Sequence, residues 1–280
     1  MTADQPIRRV VVTGGSGKAG RAVVAHLLEQ GYDVLNADLV PPMDKNAPFL
    51  RVDVTDLGQV VEVLHGADAV VHLAAIPAPG LLTEQKTFEI NTNSTYNVFS
   101  AAALLRLKRV VWASSETTLG LPFDDPVPQY APIDEEHPLY PQSSYALSKV
   151  VGEQMAAHFS RWSGIPFIGL RFSNIMEPHD YDRFPTFQSD ARLRKWNLWS
   201  YVDARDVAQS CRLSLEADVT GAHAMIIASA DTVMERANAD LMAEVFPGVP
   251  LKPETGDHDT LLAVDKARRL IGYAPGRWWR

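Results

Sequence analysis

Thr13-Gly14-Gly15-Ser16-Gly17-Lys18-Ala19-Gly20 stands between a β-branched run, Arg9-Val10-Val11-Val12-Thr13, and a stretch of helical periodicity from Gly20 to Gln30 that Gly31 ends. A strand feeding a glycine-rich turn that opens a helix is the fingerprint of a dinucleotide site. Gly14 permits the tight turn, Gly17 a close backbone approach to a pyrophosphate, and Gly20 close packing of helix on strand. Lys18 and Ala19 complete the turn, and the helix N-terminus offers free N–H groups and a positive dipole end. Asp38 follows Gly20 by eighteen positions, at the end of a second strand over Tyr32–Ala37. A carboxylate there accepts hydrogen bonds from the ribose hydroxyls and repels the extra phosphate of NADP; no arginine stands beside it, so NAD is the expected cofactor. Asp53, in Val52-Asp53-Val54, has two readings, an acceptor for the adenine amine beside Val54 or a cap on the turn at Thr55-Asp56.

Outward from this turn, short apolar runs alternate with helical stretches. A helix is expected over Gln59–Leu64 and a strand over Ala69-Val70-Val71-His72-Leu73. A long helix from about Thr92 to Leu107 and a strand over Arg109–Ala113 follow. Next come a helix through Tyr145 to Ser163 and a strand over Phe167-Ile168-Gly169-Leu170-Arg171. Such alternation implies an α/β fold, a parallel sheet covered on both faces. From Pro178 to Trp199, prolines, aromatics and both charge signs lack periodicity, which points to a long loop with short helices over a site. Helices over Asp203–Glu216, Arg236–Val245 and Leu261–Ile271 and a strand over Ala222–Ser229 complete the reading. The expected organisation is a cofactor-binding domain over 1–172, its core continuing through part of 200–230, with 173–280 forming mainly a small substrate lobe.

Composition narrows the class. The 280 residues are 46% hydrophobic and 21% charged, with a net charge of −8. That balance suits a globular protein with a sizeable core, and no basic stripe invites nucleic acid. A single cysteine, Cys211, excludes an internal disulfide and fits a reducing compartment. With no apolar run of membrane-spanning length, a cytoplasmic location is expected.

The reacting chemistry is read from Ser144-Tyr145-Ala146-Leu147-Ser148-Lys149. Positions i and i+4 share a helix face, so the Lys149 ammonium can lie beside the Tyr145 phenol and favour its ionised form. Ser114 and Ser115 end the strand upstream; either can hold a substrate oxygen, or simply bond backbone. His72 reads as a packed strand residue, since strands of a parallel sheet admit few ionised groups. No His, Cys and carboxylate spacing argues for a metal; Glu254-Thr255-Gly256-Asp257-His258-Asp259 reads as a solvated loop. Arg205 has two readings, a cleft residue or a salt-bridge partner of Asp203 or Asp206. Trp196, Trp199 and Tyr201 are either stacking surfaces for a ligand or packing for their loop.

Together these residues resemble the extended short-chain dehydrogenase/reductase family, the NAD-dependent epimerase/dehydratase group. The resemblance rests on Thr13 to Gly20, His72-Leu73-Ala74-Ala75, Asn91, Ser114-Ser115, Tyr145 with Lys149, Arg171-Phe172-Ser173-Asn174, and Tyr201 to Ala208. It implies a Rossmann-type doubly wound sheet with a small C-terminal substrate lobe. It implies Tyr145 as base, Lys149 lowering its pKa and holding the nicotinamide ribose, and Ser115 holding the substrate oxygen. Matching Ser115-Glu116-Thr117-Thr118-Leu119-Gly120 to the family's serine and glycine spacing favours Ser115 over Ser114. Leu73, Ala74 and Ala75 are implied beside the cofactor, and Asn91 at the start of the long helix as a cap with secondary cofactor contacts.

Among relatives, the local likeness is to uronate dehydrogenases, through Ala113-Ser114-Ser115 with Thr118 and Gly120, and through Glu177-Pro178-His179-Asp180-Tyr181-Asp182-Arg183. That likeness implies Arg183 as a carboxylate clamp, with Glu116, Ser173 and Asn174 near the substrate. The chain departs from it at Asp182, an extra residue before Arg183, at Pro77 in place of a serine, and at Glu116 and Thr117 in place of asparagine and histidine. Dehydratases of the group carry Thr-Asp-Glu where Ser115-Glu116-Thr117 stands, so one of their two carboxylates is present. Hydride transfer from a sugar or sugar acid is the leading expectation, redox-neutral epimerisation or dehydration the alternative, and a non-catalytic NAD sensor a reading of another class. A homodimer is implied through the long helix and the Tyr145 helix, with Val98, Leu105, Met155 and Phe159 facing either outward or into the core.

Overall fold

A computed structural model describes residues 6–280. Seven parallel strands form one sheet: β1 (Arg9–Thr13), β2 (Asp33–Asp38), β3 (Phe49–Arg51), β4 (Ala69–His72), β5 (Arg109–Ser115), β6 (Phe167–Phe172) and, near the end of the chain, β9 (Ala222–Ile227). Their order is β3-β2-β1-β4-β5-β6-β9, with β7 (Ile175–Met176) and β8 (Val202–Asp203) forming a separate parallel pair. Val10, Val11 and Val12 of β1 are all fully buried, because a central strand of a doubly covered sheet has no solvent face. The chain winds outward from β1 to β3 and then crosses to β4 on the other side. The ends of β1 and β4 therefore splay apart at a topological switch point, where open sheets of this kind place their ligands.

Helices α1 (Lys18–Glu29), α2 (Leu57–Leu64), α3 (Glu84–Leu105), α4 (Ser144–Ser163) and α5 (Ala204–Glu216) cover the two faces. The Ser143 hydroxyl caps α4 by accepting from Ala146 N. Gly164, at φ +75°, ends it in the left-handed conformation that side chains resist. Trp112 of β5 fixes the seat of α4. A Cβ at Gly152 of α4 or Gly169 of β6 would lie 3.0 Å from the Trp112 ring, so these glycines admit the indole. Phe99 of α3 meets the same ring edge-on at 5.5 Å. This wedge sets the first turns of α4 over the end of β5, where Lys149 Nζ meets Ala113 O.

Between β7 and β8 the backbone makes two 3₁₀ segments, Pro178–Phe187 and Ala191–Asn197. Helices α6 (Asn238–Val245) and α7 (Asp265–Ile271) follow β9. The tail is strapped down: Asp206 accepts from the N–H groups of Gly276 and Arg277, and Trp279 N donates to the Tyr201 hydroxyl.

Packing corrects helix starts, α7 beginning at Asp265 rather than Leu261, and decides which residues of α3 and α4 face the core. The long helix begins at Glu84, not near Thr92, although Thr83 makes no side-chain cap. Its first turn is instead anchored from outside, by Ser144 N donating to Glu84 Oε2, a contact invisible in a linear reading. Val98 and Phe159 lie in the core, where Phe159 packs edge-on against Phe99. The exposed apolar residues of α3 and α4 are Tyr96, Leu104, Leu147 and Trp162.

Candidate active site

A cavity of about 1220 Å³ runs from the end of β2, across β1 and β4, to the ends of β5 and β6. Gly14, Gly17, Lys18, Ala19, Gly20, Asp38, Asp53, Val54, Leu73, Ala74 and Ala75 all line one end of it. The glycines are there for steric reasons. Gly14 has φ +71°, and a Cβ on it would sit 2.6 Å from Ala74 N. At Gly20 a Cβ would lie 2.1 Å from Gly14 O, so α1 can approach the turn only without a side chain. Gly17 is the exception: a Cβ there meets only Gly14 O at 3.4 Å and otherwise open space. The turn is therefore packed from behind and bare in front, a cradle that fits a pyrophosphate.

Asp38 Oδ2 accepts from Ser16 N at 3.0 Å and Oδ1 from Val40 N at 3.1 Å, which holds the carboxylate at the rim and braces the glycine turn. Asp53 Oδ1 accepts from both Thr55 N and Thr55 Oγ1. It thus caps its turn, as one of the two sequence readings has it, and also lines the cavity. Lys18 Nζ pairs with Asp180 at 2.7 Å, and Arg21 pairs with Glu177 at 3.0 Å. These bridges pin the 3₁₀ segment after β7 to the start of α1. They also occupy the carboxylates of Glu177 and Asp180, which with His179 lie close enough together to suggest a cation site.

At the far end stand Ser115, Tyr145 and Lys149, all buried and all lining the cavity. The Ser115 hydroxyl accepts from Thr117 N and Thr117 Oγ1 and is near enough to the Tyr145 phenol to lower its pKa. Ser114 turns the other way, donating to Glu153 Oε1 at 2.6 Å. Glu153 is in turn held by Arg171 through two 2.8 Å bonds. Adjacent strand residues point to opposite faces, and that alternation separates the two serines. Lys149 Nζ donates to Ala113 O at 2.8 Å and lies 5.6 Å from the centre of the Tyr145 ring.

The electrostatics differ from the sequence expectation. Burial pushes the Tyr145 phenol up to about 12; Ser115 pulls it down and the Glu116 carboxylate pushes it further up. Burial also lowers Lys149 to about 8. In the protein alone desolvation dominates, so the phenol keeps its proton at neutral pH. His72 is neutral, pushed down to about 3 by burial and by Lys149, and its Nδ1 shares a 2.7 Å hydrogen bond with Thr13 Oγ1 beneath the turn.

Several expected site residues sit elsewhere. Asn91 lies within α3, not at its start, and does not line the cavity. Its amide clamps the backbone N–H and C=O of Ile76 at 2.8 and 3.1 Å, fixing the loop after β4. Arg183 is exposed on its 3₁₀ segment and lies off the cavity wall, because the segment turns its charged edge to solvent while Phe184 plugs inward. Trp199 and Tyr201 are fully buried packing residues, whereas Trp196 reaches the cavity. Arg205 grips Asp203 through two 2.8 Å bonds. Glu116, Ser173 and Asn174 line the same cavity as Ser115 and Tyr145. Sequence reasoning missed Asn197 and Arg194, which buttress them; no motif marks either one.

Residues 10–228 match the model of the NAD dependent epimerase/dehydratase family. The chain belongs to that family. A putative UDP-glucose 4-epimerase of Methanocaldococcus jannaschii is 32% identical over 174 residues, covering 59% of this chain and 55% of that protein. A uronate dehydrogenase of Pseudomonas putida is 30% identical over 193 residues, 66% of this chain and 68% of that one. The fold matches a short-chain dehydrogenase/reductase superfamily protein of Agrobacterium tumefaciens, solved with bound NAD, at a TM-score of 0.74 and 22% identity, covering 97% of this chain and 94% of that one. The sheet, seven parallel strands in Rossmann-like order, is consistent with that membership. Among the described residues no helix is long and apolar enough to cross a membrane.

Proposed function

We propose that this protein is a dehydrogenase that oxidises a hydroxyl-bearing carbon of a sugar, with Tyr145 as the base. The observation that carries this reading is the convergence of Ser115, Tyr145 and Lys149 on one wall of the cavity whose other end is the glycine cradle. Gly14, Gly17, Gly20 and Asp38 would hold the cofactor's pyrophosphate and ribose. When bound, NAD supplies the hydride acceptor and, in its oxidised form, a positive charge that favours phenolate over phenol. Tyr145 takes the hydroxyl proton as the carbon gives up its hydride, and the Ser115 hydroxyl steadies the same oxygen as it becomes a carbonyl. Lys149, tethered to Ala113 O, keeps a second cation near the ring. The carboxylate facing the site at Asp38 supports NAD over NADP.

Redox-neutral epimerisation is the second reading, favoured by the likeness to the putative UDP-glucose 4-epimerase. One experiment separates the two. NADH absorbance is followed while free sugars, uronic acids and nucleotide sugars are offered with NAD, and Tyr145→Phe serves as control. NADH that accumulates with the wild type but at least ~100-fold more slowly with the variant supports the dehydrogenase. Altered sugars without NADH would replace it with the epimerase. No conversion, with NAD still bound, would leave a non-catalytic NAD-binding protein.

The exposed Tyr96, Leu104, Leu147 and Trp162 on α3 and α4 support a homodimer through those helices. Light scattering at micromolar concentration tests this, and a monomeric mass would refute it.

A further inference from the structure

Glu116 follows Ser115 directly and is 3% exposed, yet it forms part of the cavity wall at the substrate end. A buried carboxylate is costly unless it is held by donors, and this one is held. Ser173 Oγ donates to Oε2 at 2.6 Å and Asn197 Nδ2 donates to Oε1 at 3.2 Å. The donors are themselves fixed. Arg194, buried between the rings of Phe187 and Trp196, reaches Asn174 Oδ1 at 3.3 Å and Ser200 O at 2.9 Å, while Asn197 also donates to Ser200 O. Three stretches of chain, after β5, after β6 and before β8, thus converge to aim one carboxylate. Its field reaches the reacting group, since Glu116 is among the groups that raise the Tyr145 phenol.

The rest of the substrate end gives that charge its meaning. Among the described residues lining the cavity, the cations are Lys18 and Lys149. The first is paired with Asp180 and the second is tethered at the catalytic tyrosine. Arg194 stands behind the wall, and Arg183 is off it. The lining at this end mixes apolar side chains, Leu121, Phe172 and Trp196 among them, with the hydroxyl and amide groups of Ser115, Ser173 and Asn174. Where Glu116 is ionised, a substrate carboxylate or phosphate entering here meets a negative charge and no free cation, whereas a hydroxyl finds an oriented acceptor.

We infer that Glu116 is the specificity-determining residue of the substrate end, accepting a hydrogen bond from a substrate hydroxyl, and that the substrate is therefore a neutral, unphosphorylated sugar. This rests on the dehydrogenase reading and narrows it. Arg194, Asn197 and Ser173 are positioning residues for that carboxylate. Burial pushes Glu116 up to about 7, against the lowering by Ser173, Asn197 and Arg194, so the ionised form prevails in mildly basic solution. The charged and titratable groups that bear on it are Arg194 and Tyr145.

The test uses matched pairs at about pH 8.5, where Glu116 is ionised. D-Galactose is compared with D-galacturonate, and D-glucose with D-glucuronate and glucose 6-phosphate, for wild type and Glu116→Gln. The amide keeps the shape and can still bond Ser173 and Asn197. Wild type should favour the neutral member by ~100-fold or more in kcat/KM, consistent with a like-charge contact costing several kcal/mol. Glu116→Gln should narrow the ratio at least ~10-fold while binding NAD as the wild type does. Wild type that oxidises an acid as efficiently as its neutral partner overturns the inference, as does a Glu116→Gln ratio that does not move. If the variant does not fold, the wild-type ratio alone decides. If no sugar yields NADH, the dehydrogenase reading fails, and the Tm of the NAD-loaded protein decides the inference. Neutral sugars raising Tm while their acids do not would uphold it; any other pattern would overturn it.

Discussion

Gly17 and Gly20 stand three residues apart in one turn, and the same substitution should separate them cleanly. An alanine Cβ at Gly20 would lie 2.1 Å from Gly14 O and 2.6 Å from Gly15 Cα, both backbone atoms that cannot swing aside. Overpacking of this kind costs about 1–3 kcal/mol, and a backbone clash belongs at the upper end. The better helix propensity of alanine returns up to ~1 kcal/mol. The net loss of about 2 kcal/mol should lower the Tm by roughly 4–8 °C at about 2–4 °C per kcal/mol. At Gly17, φ −76° and ψ 175° suit any residue, and the new methyl touches only Gly14 O at 3.4 Å. The cofactor-free protein should therefore lose at most ~1 kcal/mol, the difference between glycine and alanine at an N-cap. The methyl would instead project where the pyrophosphate must approach the backbone, and NAD should bind at least ~10-fold more weakly. Thermal unfolding without NAD and calorimetric titration with NAD read the two effects separately. Gly17→Ala binding NAD like the wild type, or Gly20→Ala melting like it, would refute the account of the cradle.

Glu153→Ala should destabilise by about 3–5 kcal/mol in urea unfolding, because it strands the buried Arg171 guanidinium and frees Ser114; Glu153→Leu with Arg171→Met should recover most of the loss. Equal destabilisation by the single and double variants would contradict this. For Glu116, the folded pKa of about 7 lies above the unfolded value of roughly 4.3, so the folded state holds the extra proton between them. Its contribution makes stability fall as pH rises through that window, by roughly 4 kcal/mol at most, and level off above pH 7; Glu116→Gln should flatten the slope in denaturant titrations at stepped pH. Asp38→Ala should weaken NAD ~10-fold and move the NADP-to-NAD ratio of dissociation constants toward one, since it removes both the ribose acceptor and the brace on Ser16 N. An unchanged ratio would mean that another group excludes the extra phosphate.

Local signals carried the first half of the chain. Valine runs, the spacing of Gly14, Gly17 and Gly20, and the distance to Asp38 are short-range constraints, because a turn, a cap or a strand face is decided within a few residues. The same logic placed Tyr145 and Lys149 on one helix face. The resemblance singled out Ser115, and the alternation of strand faces then turned Ser114 toward Glu153. What failed was local reading of long-range contacts. The start of α3 at Glu84 depends on Ser144, sixty positions away, and Asn91 serves the loop at Ile76, not a helix end. Arg183 carried a motif but was left outside the cavity by the way its 3₁₀ segment packs. Arg194 and Asn197 carried no motif and hold the substrate end together.

The sequence by itself determined the glycine-rich turn between β1 and α1 and the pairing of Tyr145 with Lys149 on one helix face, since each is written in neighbouring residues on one or two elements. Only the tertiary structure decided the charge and shape of the substrate end. That end is assembled from loops after three different strands, and whether a buried carboxylate faces a cation, a hydroxyl or a ring is set by packing between segments far apart in the chain.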